Sequence, residues 1–184
     1  MGSVTGFRRS VTFAAVIAAT LLVPAASAAT PEFAVKAAYL SKFGIFVDWP
    51  RTAFDSPQSP VVLCVEGADP FGDTLDKIVQ GERIGNRAIV IKRLRSVARD
   101  SGCAILYAGG SDEQSVDEAL DAVAGSGVLT VTDSVPDAHK SGIVEFVVQD
   151  NRVRFNIDDA AAAKNGITIS SHLLSLALNV RPRS

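Results

Sequence analysis

The residues that could perform catalysis are few, and their spacing assembles no recognisable catalytic group. The 184-residue sequence has two histidines, His139 and His172, which fall in different predicted elements. His139 stands in a turn-like stretch typical of a solvated loop, and His172 stands in the first turn of a predicted helix. No serine lies in the G-x-S-x-G pattern of a nucleophile elbow, and two isolated histidines do not make a zinc site. The sequence therefore predicts a protein that is not an enzyme and has no metal or cofactor.

A glycine-rich turn is the second place where chemistry is conceivable. Gly109, Gly110 and Ser111 follow a predicted strand and precede a predicted helix. Backbone N–H groups at such a position can bind an anion, and ligands of open α/β sheets collect at strand ends. The spacing matches neither G-x-G-x-x-G nor a P-loop, so a tight turn followed by a helix cap is the ordinary interpretation. A ligand or anion site at these three residues remains the alternative.

The N-terminal segment has the pattern of a secretory signal. Two arginines precede an apolar run of 13 residues, Val11–Val23, and small residues follow at 26–28. This pattern predicts a cleaved signal peptide over residues 1–28 and a mature chain over residues 29–184. The alternative is a retained anchor, but the run is shorter than the roughly 20 residues that a membrane span needs. We therefore expect an exported protein that is not embedded in the membrane.

The mature chain has the size of one domain and a mildly acidic charge. Removal of the two signal-segment arginines leaves 16 basic against 20 acidic residues, a net charge of about −4. A length near 150 residues suits one domain with one core. Without a basic run, the chain lacks the electrostatic footprint of a nucleic-acid-binding protein.

Two cysteines, Cys64 and Cys103, lie in the exported part of the chain. An even number of cysteines in an oxidising compartment favours a disulfide. In the chain-entropy model, closing this loop stabilises the fold by about 4 kcal/mol. The alternative, two buried free thiols, stays open at this point.

Periodicity predicts alternating strands and helices. The predicted strands span residues 61–65, 88–92, 103–107, 128–132, 143–149 and 152–157. Two predicted helices span residues 32–48 and 158–164. Two more lie between strands: one is capped by Asp69 and ends at Gly81, and the other begins with Ser111 and Gln114 and ends at Gly125. The last predicted helix begins at Ser170 or Ser171 and carries apolar residues as far as Val180. Strand–helix–strand spacing predicts parallel pairing, and the Asp150-Asn151 turn predicts an antiparallel hairpin at the sheet edge. The predicted fold is an α/β, three-layer α/β/α sandwich with a mixed, mostly parallel central sheet.

The first and last predicted helices carry more apolar residues than one buried face requires. Exposed apolar surface on a soluble protein usually marks an interaction site. The alternative is that both helices are fully buried against the sheet and each other. Composition alone does not decide between these two interpretations.

A series of short segments along the chain forms a recognisable pattern. The segments are, in order, Lys36–Leu40, Lys42-Phe43, Phe46-Val47, Trp49-Pro50, Cys64-Val65, Asp69–Gly72, Cys103–Tyr107, Val128–Asp133, Arg154–Ile157, Ala160–Gly166 and Ile169–Ala177. In this order and spacing they resemble the YfiR family of exported regulators, and the similarity covers essentially the whole mature chain.

The resemblance implies a periplasmic, homodimeric regulator. Such a protein binds the periplasmic sensor region of an inner-membrane diguanylate cyclase and represses it, which lowers cyclic-di-GMP signalling and biofilm growth. An outer-membrane lipoprotein is the expected second partner, since it can sequester the repressor. Cys64 and Cys103 match a family disulfide position. No second cysteine pair lies near residues 133–145, which argues against redox switching through a second bond.

Partner binding is predicted to use an apolar patch from the first and last helices. Its residues are Tyr39, Phe43, Phe46, Trp49, Leu173 and Leu176. The same residues would equally suit a buried core. A second functional hypothesis is a periplasmic small-molecule sensor or binding protein that acts on a different membrane receptor.

Overall fold

The structure is a computed structural model that describes residues 1–2, 31–134 and 139–183. The predicted cleavage site and nearly all of the predicted signal segment lie outside the described residues. In the part of the chain that is described, none of the helices has the length and apolar character of a membrane span.

An eight-stranded mixed sheet forms the centre of the described chain. The described residues form ten strands, of which eight belong to this sheet. They are β1 (Val47–Asp48), β2 (Val61–Glu66), β3 (Arg83–Ile84), β4 (Arg87–Leu94), β5 (Ile105–Ala108), β6 (Leu129–Asp133), β7 (Val144–Gln149), β8 (Arg152–Asp158), β9 (Thr168–Ile169) and β10 (Val180–Arg181). The sheet order is β10-β8-β7-β6-β5-β2-β4-β3, and β1 pairs with β9 separately. All neighbours from β4 to β7 are parallel, whereas β8 is antiparallel to β7 and β3 to β4. The predicted mixed, mostly parallel sheet is confirmed.

Helices pack on both faces of this sheet. They are α1 (Pro31–Phe43), α2 (Asp73–Val79), α3 (Val116–Ala122), α4 (Asp159–Lys164) and α5 (Ser171–Leu176). Successive residues of β5 alternate between two cores: Ile105 packs in the larger core with α1 and α2 residues, and Leu106 packs in a smaller core with α3 residues. This alternation is the period of a strand buried on both faces, and it gives the three-layer α/β/α arrangement.

The two predicted strand–helix–strand units are both present. The unit β2-α2-β4 pairs its strands in parallel, as does β5-α3-β6. The sequence analysis missed β3, which forms a small antiparallel hairpin with β4 around Gly85, where φ is +57°. Only two residues pair on each side, so the alternating pattern of a strand is too short to recognise.

The predicted first helix, residues 32–48, is too long. α1 ends at Phe43, a 3-10 turn follows at Gly44–Phe46, and β1 pairs with β9 at the far end of the chain. Gly44 in this turn packs closely against the end of the Ile84 side chain, so a larger residue here would require that side chain to move. Close packing and a long-range strand pair therefore override the local helical pattern.

The starts of two further helices also differ from prediction. Oδ1 of Asp69 accepts the N–H groups of Phe71 at 2.8 Å and Gly72 at 3.1 Å, which makes a turn, and α2 begins only at Asp73. The capping box of α3 is formed by Ser115 and Glu118, not by Ser111 and Gln114. Both errors are of the same kind, because short polar side chains cap turns as readily as helices.

The C-terminal region confirms the predicted hairpin but not its edge position. Asp150 and Asn151 have φ of 51° and 58°, the left-handed conformation of a tight hairpin turn. The last helix ends at Leu176 instead of continuing to Val180. The chain then adds β10 alongside β8, where the N–H of Ile157 donates to the carbonyl of Asn179 at 2.9 Å. β10, and not β8, is therefore the outer strand.

Candidate functional site

An apolar groove of about 500 Å3 lies between α1 and α5. Its lining is apolar except for the hydroxyl of Tyr39 and the ammonium of Lys42. The lining residues are Ala34, Val35, Ala38, Tyr39, Lys42, Phe43, Phe46, Phe155, Leu173 and Leu176. The α1 members recur at helical spacing, so they form one flank of that helix.

Five of the six residues predicted for partner binding line this groove: Tyr39, Phe43, Phe46, Leu173 and Leu176. They divide into a floor and a rim. Phe43 and Leu173 are 1% and 2% exposed and belong to the larger core, whereas Leu176 is 53% exposed. The predicted set is therefore part core and part surface.

Aromatic rings make the floor of the groove. The centroid of Phe155 lies 5.5 Å from Tyr39 and 5.3 Å from Phe43, both in edge-to-face geometry. Tyr39 and Phe43 stack at 5.9 Å. Rings at these separations attract one another beyond the effect of burial, which favours a preformed groove. Sequence analysis did not assign Phe155 to the site, because its proximity to α1 is a tertiary contact.

The rim of the groove exposes apolar side chains. Val35, which the sequence analysis did not select, is 45% exposed and faces the same groove as Leu176. Lys42 is the charged member of the lining, and its ammonium pairs with the Glu82 carboxylate at 2.5 Å. At the α5 end, Phe46 lies 5.6 Å from the ring of His172. The rim thus combines apolar contact surface with one neutralised ion pair.

Trp49, the sixth predicted residue, lies outside the groove. Its ring packs edge-to-face on Phe54 at 5.7 Å, and it lines a separate cavity of about 540 Å3 with Arg87. The guanidinium of Arg87 lies 3.9 Å from the centre of the Phe54 ring. The short strand β1 carries the chain away from α1, so Trp49 points to this second location.

Cys64 and Cys103 form the predicted disulfide, with their Cα atoms 5.7 Å apart. The bond links β2 to the segment that leads into β5. Cys64 belongs to the smaller core beside Leu106 and Ala119, which lies on the face of the sheet opposite the groove. The disulfide therefore supports the fold at a distance from the candidate site.

The N–H groups of the glycine-rich turn are already bound within the protein. The N–H of Gly109 donates to the Glu66 carbonyl at 2.9 Å, and that of Gly110 donates to the Glu66 carboxylate at 3.2 Å. The N–H of Ser111 donates to the Gln114 carbonyl at 2.8 Å. Glu66 is fully buried, so a carboxylate stands where an anion would approach. This geometry favours a structural turn.

Catalytic and metal-binding groups do not converge in the described residues. His139 and His172 are both exposed and lie in separate parts of the chain. Within residues 31–134 and 139–183, no three His, Cys, Asp or Glu side chains group closely enough to hold a metal ion. The apolar groove between α1 and α5 is therefore the feature from which a function can be argued.

Comparison with known proteins places the chain in a family. No curated protein matches the chain. The family model described as YfiR/HmsC-like matches residues 33–178, which include α1 from its third residue onward, α5, the disulfide and the whole central sheet except its last strand. The chain therefore belongs to the YfiR/HmsC-like family of periplasmic regulators.

Proposed function

We propose that this chain is a non-enzymatic periplasmic regulator that binds the periplasmic sensor region of an inner-membrane diguanylate cyclase and represses it. The α1–α5 groove supports this proposal, because it combines a rigid aromatic floor with an exposed apolar rim. Large exposed apolar side chains gathered around a groove are typical of a protein interaction site. The family is regulatory and non-catalytic, so we propose that the chain acts on the cyclase by binding alone.

Covering the rim of the groove supplies part of the binding free energy. Val35 and Leu176 each expose about half of their surface, and complete burial of such a side chain contributes about 1.5–3 kcal/mol. We therefore expect about 1 kcal/mol from each on binding. Tyr39 and Phe46 are partly exposed and add further apolar contact.

Repression requires that the chain binds one conformation of the cyclase more tightly than another. A nearly complete shift between two conformations needs about 5.5 kcal/mol of differential affinity. The two rim residues together supply about 2 kcal/mol. The partly exposed rings of Tyr39 and Phe46, together with contacts beyond the groove, must therefore supply the remainder, which suits an apolar anchor inserted into the groove.

The wider regulatory circuit in this proposal is carried over from the family resemblance. Repression lowers cyclic-di-GMP and restrains biofilm growth, and an outer-membrane lipoprotein that sequesters the repressor reverses both effects. We expect the regulator to act as a homodimer. Disulfide and sheet provide the scaffold for the groove.

The test is capture of the cyclase by the exported chain and by two variants. The wild-type chain is tagged and used as bait on solubilised membranes, and the captured proteins are identified by mass spectrometry. We expect an inner-membrane diguanylate cyclase among them. The double substitution Val35→Ser and Leu176→Ser should strongly reduce recovery while leaving the melting temperature nearly unchanged. Val90→Ser is the matched control, because Val90 is 41% exposed on β4 and outside the groove. Equal recovery of the cyclase by the double variant would refute the proposed docking surface.

The volume of the groove supports a second candidate function, that of a small-molecule sensor or binding protein acting on a different receptor. Small-molecule sites occupy roughly 300–1,000 Å3, and the groove has about 500 Å3. If no cyclase is captured, a screen of small apolar molecules by thermal shift distinguishes this function. A stabilising compound should lose its effect on the Val35→Ser, Leu176→Ser variant.

A further inference from the structure

The side chain of Lys36 is an unusual feature of α1, because a charged group is buried within the apolar helix. Lys36 is only 4% exposed. Its ammonium pairs with Glu32 at 2.5 Å and with Asp133 at 2.8 Å. It also lies 4.9 Å from the ring centre of Phe33 and 5.9 Å from that of Phe146. Lysine is almost never fully buried unless it is paired, so this pair is a built feature of the fold.

This ion pair connects α1 to the carboxyl ends of two central strands. Asp133 is the last residue of β6, and its second carboxylate oxygen accepts the hydroxyl of Tyr107 from β5 at 2.8 Å. Lys36, Asp133 and Tyr107 thus form a continuous polar chain from helix to sheet. The Tyr107–Asp133 link is a directional hydrogen bond, and the Lys36–Asp133 link is a charge pair that holds α1 close to the end of β6.

Apolar residues of α1 lie on more than one side of the helix. Leu40 and Phe43 are buried against the sheet, while Val35 and Tyr39 face the groove. A helix with apolar residues on several sides can bury comparable areas in more than one rotation about its axis. A single buried polar residue that pairs in one arrangement only can select among such alternatives, as buried polar groups do in coiled coils.

We infer that Lys36 is a positioning residue for the docking groove. Its pairing with Asp133 selects the rotation of α1 that directs Val35 and Tyr39 into the groove. The inference rests on the proposed function for its consequence in partner binding, but not for its structural content. Lys36 itself does not line the groove, so its effect on binding is transmitted through α1.

The test removes both charges and keeps the shapes of the side chains. The variant Lys36→Met, Asp133→Asn avoids leaving one buried charge unpaired, which is the strongly destabilising case. The matched control is Arg95→Met, Glu113→Gln, which removes a largely exposed ion pair elsewhere on the surface. Lys36→Arg retains the charge and serves as the rescue variant. Asp133→Asn alone, which retains the Lys36–Glu32 pair, is the second variant if the double variant does not fold.

Two measurements are made on the full exported chain. The first is the nuclear Overhauser contact between the rings of Tyr39 and Phe155, whose centroids lie 5.5 Å apart in the floor of the groove. The contact between Trp49 and Phe54, at 5.7 Å outside the groove, is the internal reference. The second is affinity for the captured cyclase. We expect the double variant to lose the Tyr39–Phe155 contact, keep the reference contact and bind the cyclase at least tenfold more weakly. The Arg95→Met, Glu113→Gln control and the Lys36→Arg variant should match the wild-type chain in both measurements. With Asp133→Asn alone, the Tyr39–Phe155 contact should weaken.

The outcomes separate this inference from the proposed function. Retention of the Tyr39–Phe155 contact in a folded double variant overturns the positioning role of Lys36. If the double variant does not fold, an undiminished contact in Asp133→Asn overturns it as well. Loss of that contact with unchanged cyclase affinity supports the positioning role and instead refutes the groove as the docking surface.

Discussion

Removal of the disulfide tests the separation between the scaffold and the site. Cys64 and Cys103 are 39 residues apart in sequence. In the chain-entropy model, a loop of this length lowers the entropy of the unfolded chain by about 13 cal/mol/K, which is about 4 kcal/mol at 25 °C. For a chain of this size, 1 kcal/mol changes the melting temperature by about 2–4 °C. We therefore expect a fall of about 8–16 °C on removal of the bond.

The assay compares Cys64→Ala, Cys103→Ala with the wild-type chain in reductant. Cys64 is fully buried, so the alanine variant loses packing as well as the bond, whereas reduction keeps both sulfur atoms. The difference between the two free energies of unfolding, measured in denaturant, isolates the packing contribution. Both forms should bind the cyclase as the oxidised chain does, because the bond lies on the face of the sheet opposite the groove.

Two results would refute this reasoning. A loss of less than about 1 kcal/mol on reduction would show that the unfolded chain is constrained by something other than the bond. A tenfold loss of cyclase affinity in a reduced but folded chain would show that the two faces are coupled. In that case the disulfide would belong to the binding mechanism and not only to the scaffold.

Three further predictions concern stability, each measured by denaturant unfolding. Burial raises the pKa of the Glu66 carboxyl above its ordinary value of 4.5, against the opposing hydrogen bond from Gly110, so its contribution to stability is greatest below pH 4.5 and falls as pH rises through the folded-state pKa. Glu66→Gln should therefore stabilise the fold at neutral pH and flatten this pH dependence; destabilisation at neutral pH would contradict the argument. Ser115→Ala removes the capping box with Glu118 and should lower the free energy of unfolding by about 1 kcal/mol. An unchanged free energy of unfolding would contradict this prediction. Phe43→Ala leaves a cavity beneath the groove and should cost about 3–5 kcal/mol; a cost under 1 kcal/mol would mean that Phe43 is not core.

Local sequence patterns predict most of the sheet of this protein but not the ends of its helices. The two strand–helix–strand units and the Asp150-Asn151 hairpin depend on short-range periodicity and turn chemistry, and all three are present. At the end of α1, Gly44 packs against the side chain of Ile84, which is 40 residues away in the sequence. The strand β10 depends on the pairing of Val180 with Ile157. Such contacts are made by the folded chain as a whole, and no window of local sequence contains them.

The residues that line the groove show the same limit of prediction from local sequence. Tyr39 and Leu176 could be selected from sequence because apolar residues exceed what one buried helix face needs. Trp49 was included with them because it follows the same run, and the break of the helix places it in another cavity. Phe155 was omitted because it comes from the sheet. The role of Lys36 could not be predicted, because no local pattern of the sequence shows that Asp133 approaches it.

The central claim is that the α1–α5 groove binds a diguanylate cyclase sensor region. Isothermal titration of that region with the wild-type chain, with Val35→Ser, Leu176→Ser and with Val90→Ser tests it most directly. The lost burial of about 2 kcal/mol predicts a Kd raised about 30-fold in the double variant and unchanged in the Val90→Ser control. An equal Kd for all three chains would contradict the claim.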